Sequence, residues 1–488
     1  MKNLYILLSF ISFQFLTAQT IFFPDQDFKM KLVNSGPNFP CAYDQNGSNM
    51  TVDANHDGQI QVSEVVNIYQ LYLVDHNIEN FTGLQYFTNL MTLETIGNYV
   101  GNLNLTAQPN LRDLYCHDSQ LSSITFNPNA NLRTLHCYNN NISQLNISGM
   151  TNLRNLACQN NLLTELDISG LEVLETVDCS TNLLTSMDVN GDISLQTLFC
   201  RQNNLTSLQV LGLNALTYIA CDYNQITSLD ISGHVNLNYL TCTFNQLSTL
   251  IVSGCTNMTE LICNNNLLTN IDSSGLLSLS RLYCFSNQLT GLNLSENINL
   301  LMLLCNSNSI SSLDFTGLPL LTNLLCSDNL LSTLDLSQQP IFFQLECNNN
   351  NLQTLYLKNN SLEGFLEFNG NPGLNLVCVD NDQLTQVEDI VAQYNYTNCT
   401  VNTSCLLSTN EFDTETVRVY PIPALNELNV IVKNQSKITI FNVLGQSILT
   451  YPNAIGKTSL DISKLIPGNY FMNISSQNEN WNKKFIKL

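Results

Sequence analysis

Asp53, Asn55, Asp57, Gln59 and Glu64 stand at positions one, three, five, seven and twelve of a twelve-residue stretch, with Gly58 at position six. Calcium asks for six to eight hard oxygens, and this spacing supplies them around one glycine bend. Other candidate chemistry is thinner. His117 and His136 adjoin Cys116 and Cys137, two Cys-His couples that invite a zinc reading. In an extended strand, however, successive side chains point to opposite faces, so each histidine is turned away from its cysteine. Asp167, Asp188, Asp230, Asp272, Asp314 and Asp335 form a row that could be compared with the carboxylate pairs of sugar hydrolysis. The plainer reading is a solvated face that discourages edge association. No Gly-x-Ser-x-Gly, His-Glu-x-x-His or phosphate-binding glycine loop occurs, so the chain is read as a non-enzyme.

Aromatic residues offer a different kind of chemistry. Tyr115, His136, Tyr138, Phe199, Tyr218, Tyr239, Tyr283 and Phe285 each fall one before, three before or one after a recurring cysteine. Arg201, Arg281, Asp222 and Glu260 occupy the same kinds of position. Exposed aromatics mixed with a few charges are what a recognition face uses. These eight residues are therefore the candidate ligand-binding set, for an extracellular protein or glycan.

What positions them is a repeat. Cysteine returns every 21 residues, from Cys116, Cys137 and Cys158 without a slip to Cys347. Each unit reads like Leu132-x-x-Leu135-x-Cys137-x-x-Asn140-x-Ile142-x-x-Leu145-x-Ile147. A strict period of this length means one structural unit stacked on itself. Leu135-x-Cys137 and Leu145-x-Ile147 alternate with period two, which puts the named residues on the inner face of short strands. A single coil cannot bury that face, but stacked coils can. The cysteine is then a small buried hydrophobe, and free thiols are expected along the ladder. The asparagine three residues after it is expected to serve the turn backbone of the coils on either side, since an amide carries two donors and an acceptor. At about 4.8 Å per coil, twelve coils would present a face about 55 Å long.

The unit resembles a bacterial leucine-rich repeat of the 21-residue kind, with Cys in the third leucine slot. The resemblance implies a mainly β solenoid of about 13–14 coils. An earlier unit fits with Thr95 in the cysteine slot, and a later one fits after a ten-residue slip, at Leu376-x-Cys378 with Asn381. The stretch from Asp53 to Glu64 resembles a single EF-hand-like or dockerin-like loop. Residues 34–51 are too rich in Gly, Pro and Asn for an entering helix, whereas 63–73 could form the exiting one. A weak structural calcium is expected there, fixing an N-terminal cap in which Phe22, Phe23, Phe28 and Leu32 cover the first coil.

Residues 1–18 read as a signal peptide, with a lysine, an apolar run and Thr17-Ala18-Gln19 at the cleavage point. No later stretch is apolar for long enough to span a bilayer. Residues 19–89 are assigned to the N-terminal cap, 90–383 to the solenoid, 384–405 to a C-terminal cap with a helix near 384–396, and 406–416 to a linker. Cys378, Cys399 and Cys405 flank that helix and are either free or bridged among themselves; Cys41 and Cys255 have no obvious mates. From 417 to 488 short alternating runs broken by Pro, Asn and Gly indicate a small all-β sandwich. Its pieces are Val419-Tyr420-Pro421-Ile422-Pro423-Ala424, Ile440 to Gln446, Leu465-x-x-Gly468-x-Tyr470-Phe471 and Lys483 to Lys487. Together they resemble the type A C-terminal sorting domain of the type IX secretion system of Bacteroidetes, with Ile422 where that family usually shows Asn. The resemblance implies type IX secretion machinery as a partner. It also implies passage across the outer membrane, removal of the domain, and release or anchoring at the cell surface.

Lys plus Arg number 17 against 39 Asp plus Glu, a formal charge of −22. That balance argues against nucleic acid as a partner, which would need clustered cations. The expectation is a secreted or cell-surface monomer that recognises or adheres. An inert spacer and an unrecognised hydrolase are the alternatives.

Overall fold

The computed structural model describes residues 19–404, apart from 129, 130 and 190, and residues 417–487, apart from 421–423, 425, 443, 444 and 477–479. The expected signal peptide and linker, Cys405, and parts of two sorting-domain segments lie outside the described residues. Contacts divide the chain into two units, with the boundary between Thr403 and Ser404.

Sixteen short strands form the long sheet of the first unit, and the fold is mainly β, as the repeat requires. Most strands are three residues long, such as Thr134–His136, Tyr218–Ala220 and Tyr239–Thr241. In each the central aliphatic residue is buried, as is the cysteine that follows. Equivalent positions pair in parallel from coil to coil, so Leu198 meets Ile219 and Ile219 meets Leu240. Stacking thus converts a leucine pattern into a continuous spine. All twelve ladder cysteines are free and fully buried. Burial raises every one of those thiols, Cys263 and Cys305 to about 12.

The residue two after each cysteine leaves the strand with a positive φ, for example Asn139 at 54° and Tyr223 at 54°. This left-handed residue turns the chain, and glycine fills the slot at Gly370, where a Cβ would meet Asn349 Oδ1 at 2.1 Å. The next residue is the asparagine. Asn224 Nδ2 donates to the carbonyls of Cys200 at 2.9 Å and Cys221 at 3.1 Å, while its Oδ1 accepts from the Leu205 amide at 2.9 Å. Each amide therefore serves its own coil and the preceding one, rather than the coils on both sides. Ser119 takes the slot in the one unit lacking Asn, and its hydroxyl donates to the Thr95 carbonyl at 2.7 Å.

Several boundaries differ from the sequence reading. The long sheet begins before residue 90, with Ala42–Tyr43 and Gln70–Tyr72 as its first two strands. The exiting helix is one turn, Val62–Val65, because residues 70–72 join the sheet. After Cys347 the period continues without a slip: Phe365–Glu367 is the sixteenth strand, Phe368 fills the cysteine slot and Asn371 donates to the Cys347 and Phe368 carbonyls. Leu376–Cys378 belongs instead to a separate four-stranded sheet with Thr333–Asp335, Thr354–Tyr356 and Thr400–Asn402.

At the N-terminal end Phe23, Phe28 and Leu32 are buried, with Phe28 packed edge-on against Phe23 and Phe81. Phe22 is not part of that cover and is 75% exposed. Asp25 ties the cap down, accepting from the Phe28 amide and from the amides of Glu79 and Asn80. At the other end the helix Leu384–Gln393 and the rings of Phe368, Tyr394 and Tyr396 close the core. Cys378 is disulfide-bonded and Cys399 is free.

The second unit is one five-stranded antiparallel sheet built on two 15-residue strands, Glu427–Phe441 and Ser447–Asp461. The first of these pairs with Val417–Tyr420 along one half and with Gly468–Ser475 along the other. Register shifts between Val432 and Ile438 mark the change. Leu428, Val430, Ile438, Ile440, Leu460, Met472 and Phe485 fill its separate core.

Candidate ligand-binding face

The buried alternation leaves three positions per coil on the open face of the long sheet. All eight aromatic and histidine residues singled out from the sequence are half-buried there, and six of them pack against one another. They do not form one continuous stripe. Tyr115 meets His136 edge-on at 5.0 Å, and Tyr138 lies 6.3 Å from His136. Five coils are covered by this group and the next. Phe199 leans on Tyr218 at 5.1 Å, and Tyr218 stacks on Tyr239 at 4.3 Å with the rings 13° apart. Tyr283 and Phe285 stand farther along, where the Tyr283 hydroxyl contacts Met302 Sδ at 3.2 Å.

Charges pin the second group. Arg201 Nε sits 2.9 Å from Asp222 Oδ2, its guanidinium lies 5.8 Å from the centre of the Phe199 ring, and Nη2 donates to the Tyr218 hydroxyl at 3.4 Å. Asp222 is 6% exposed and also accepts from the Thr241 hydroxyl and the Thr243 amide. Burial, with the neighbouring Tyr218 hydroxyl, raises the Tyr239 phenol well above its ordinary range. Arg281 and Glu260 make a looser, more exposed pair at 3.3 Å.

Other rings complete the face. His117 stacks on Tyr138 at 4.1 Å and contacts Asp118 at 2.7 Å, so it is part of the first group. Tyr43 and Tyr72 extend the aromatic surface onto the first two strands, 5.2 Å apart. Tyr223 and Phe244, both exposed, stack at 4.5 Å along the rim. Cys116 and Cys137 are inside while His117 and His136 are outside, which rules out a shared zinc site.

The Asp row is a set of turn caps. Asp167 Oδ1 accepts from the Ser169 amide at 3.0 Å and hydroxyl at 2.7 Å, and Asp272, Asp314 and Asp335 accept the amide two residues on in the same way. These bonds hold the carboxyls of Asp167, Asp272 and Asp314 below their ordinary value.

In the twelve-residue loop Asp53 accepts from the amides of Asp57 and Gly58, Asn55 from Asp57, and Asp57 from Gln59. Glu64 accepts from the amides of Ala54 and Gln61, and the Gln59 side chain is drawn out to Lys29. Among the described residues no three His, Cys, Asp or Glu side chains converge as a metal would require. The donor set remains oxygen-only and suits a hard cation.

The solenoid superposes on the functional domain of InlJ from Listeria monocytogenes, a structure described as including a cysteine ladder, with a TM-score of 0.56. That match covers 88% of this chain and 93% of that one at 24% identity. Residues 418–488 match the family described as the secretion system C-terminal sorting domain. The chain is a leucine-rich-repeat solenoid followed by a secretion sorting domain. YopM from Yersinia enterocolitica is also similar, at 20% identity over 64% of this chain and 89% of that one, with a TM-score of 0.41. No curated protein matches the sequence. The sorting domain marks the leucine-rich-repeat chain for secretion or the cell surface, and among the described residues no helix is long and apolar enough to cross a membrane.

Proposed function

We propose that the protein is a non-enzymatic recognition module, carried out of a Bacteroidetes-type cell by type IX secretion machinery, that holds an extracellular protein or glycan on the aromatic face. The observation that carries this reading is the group at Phe199, Arg201, Tyr218 and Tyr239. Its rings are partly open to solvent yet locked by stacking and by the Arg201–Asp222 pair. Such a surface loses little side-chain freedom on binding, so more of the contact energy appears as affinity. Screening the purified solenoid against glycans and surface proteins tests it. Tyr218→Ala and Tyr239→Ala should each weaken capture by about 1–3 kcal/mol, as buried aromatic anchors do. Capture that is indifferent to both changes would sink the assignment of this face, and absence of any capture would favour a spacer.

Calcium is proposed as a structural clamp on the N-terminal cap, held by Asp53, Asn55, Asp57, Glu64 and the carbonyl of Gln59. Its chemistry there is charge neutralisation of a loop whose carboxylates accept backbone amides and, at Asp57, the side-chain amides of Asn55 and Gln61. For a site of the weak extracellular class, about 10 mM calcium should add roughly 1–3 kcal/mol of stability. The shift in melting temperature should vanish in Asp53→Ala; an equal shift in that variant would exclude the loop as the site.

A further inference from the structure

The chain contains six arginines, and three of them, Arg112, Arg133 and Arg154, occupy the same position in three successive coils, four residues before the cysteine. The backbone places them in register, the Arg133 amide donating to the Arg112 carbonyl at 2.6 Å and the Arg154 amide to the Arg133 carbonyl at 2.9 Å. All three are exposed. Beyond Glu175, the column continues with Gln196, Thr217, Asn238 and Thr259, so the cations are gathered at one place on a chain of net charge −22. Glu175, on the fourth coil, pairs with Arg154. Among the described residues no carboxylate stands within ion-pair range of Arg112 or Arg133. Beside them runs a second column in which Asn152 Nδ2 donates to Asn131 Oδ1 at 2.5 Å. A shallow cleft of about 260 Å³ lies between, lined by Arg112, Asn131, Arg133, Asn152, Arg154 and Val173.

Like charges repeated at about 4.8 Å repel, and nothing in the solenoid frame requires arginine at this slot, since, Glu175 apart, the same position elsewhere is neutral. We propose that Arg112, Arg133 and Arg154 bind a linear acidic polysaccharide, one that carries a carboxylate or sulfate on successive sugars. Guanidinium groups match such oxyanions with two parallel N–H donors each. Asn131 and Asn152 add the neutral donors and acceptors that sugar hydroxyls need. An acidic polypeptide fits less well: in an extended chain its same-side carboxylates recur at about 6.6 Å, out of step with coils at about 4.8 Å. Nucleic acid is disfavoured because its affinity scales with the number of phosphates neutralised, and three cations on so acidic a chain neutralise few. The site uses none of the aromatic residues assigned above and stands or falls independently of them.

The test uses the full-length chain with polygalacturonate (carboxylate), dextran sulfate (sulfate), neutral dextran and single-stranded DNA as probes. Binding to either acidic polysaccharide but not to dextran is expected, weakening as salt is raised from about 50 to 200 mM. Arg133→Glu should lower that affinity by about tenfold or more, and Arg133→Lys should recover only part of it, because lysine offers no fork. Lys358→Glu makes the same change in net charge elsewhere and should leave binding within about twofold, since distant exposed charges are screened. Melting temperatures matching the parent chain would show that the exposed variants are folded. Equal binding by Arg133→Glu, equal loss in Lys358→Glu, tighter binding to DNA, or binding of dextran as strong as that of the acidic polymers would each overturn the proposal.

Discussion

Asp192 is the residue whose chemistry is most at odds with its place. It lies in a buried column at the turn after the second strand, also occupied by Gln108, His234, Cys255, Asn297 and Gln339. Gln108, Cys255, Asn297 and Gln339 each donate to the carbonyl 24 residues earlier, as Asn297 Nδ2 does to Ser273 at 3.1 Å and Gln339 Nε2 does to Phe315 at 3.0 Å. His234 faces the equivalent carbonyl, that of Val210, at 2.9 Å. A carboxylate cannot donate. Asp192 Oδ1 accepts from the Leu171 amide at 3.0 Å, and Oδ2 is buried with no partner. Burial, opposed by the Leu171 amide and reinforced by Asp188 and Asp167, pushes the carboxyl up to about 7. The unfolded chain releases this proton near the ordinary value of 3.8, whereas the folded chain holds it. The group's contribution to stability is therefore intact below that ordinary value, falls as pH rises toward about 7 and is absent above it. Asp192→Asn supplies the donor that Asn297 supplies in its own coil. Thermal melts at pH 8 should show the variant more stable by about 1–3 kcal/mol, the cost of one unsatisfied buried group, with the gap closing toward pH 4. A variant no more stable than the parent at pH 8 would remove the argument.

At the scale of the element, a coil owes its shape to the turn that follows the cysteine, and the asparagine holds that turn. Asn224→Ala would leave the buried amide of Leu205 without a partner and take one of two donors from the carbonyls of Cys200 and Cys221, which keep Asn203 and Asn245. At about 1–3 kcal/mol for the one buried group left unsatisfied, with the two lost carbonyl bonds adding to it, the loss should be about 2–4 kcal/mol by urea unfolding. Asn224→Ser should cost less, because Ser119 fills the same slot in its own coil. Equal losses in the two variants would show that the coil, and not the hydrogen bonds, sets the cost. This frame was legible in the sequence because period-two alternation and a fixed asparagine constrain the backbone directly. Alternation also placed Tyr218, Tyr239 and the other outward residues correctly on the open face. It could not place Tyr223 and Phe244, because at φ of 54° and 50° the strand has already ended and side chains no longer alternate. The coil at Phe365–Glu367 is hidden in the sequence for a simpler reason: Phe368 fills the cysteine slot, and the next cysteine, Cys378, belongs to another sheet. The arginine column lies outside the leucine frame altogether, and only aligning the coils brings its three members together.

For the whole molecule, stability accumulates from coil to coil, each burying its thiol between neighbours, and this makes the ladder a gauge of opening along the chain. The thiolate is the reactive form, and burial raises all twelve ladder thiols far above neutral pH. Cys399 is different: it is half-buried and free, beside the closing helix, while Cys378 is disulfide-bonded. Brief alkylation of the native protein at pH 8, followed by peptide mapping, should therefore mark Cys399 first among the described cysteines. The ladder thiols should label only as coils open. Opening begins where a coil has fewer neighbours to hold it, so Cys116 and Cys347 should gain label before Cys200 and Cys221, and mild urea should widen that interval before global unfolding erases it. Calcium should slow labelling at Cys116 more than at Cys347 if the loop at Asp53 clamps the N-terminal end. Central thiols reacting as fast as Cys399 in the absence of denaturant would mean that the sulfur row is not the inside of the stack. The outward assignment of Tyr218 and Tyr239, which rests on the same alternation, would then be reversed with it.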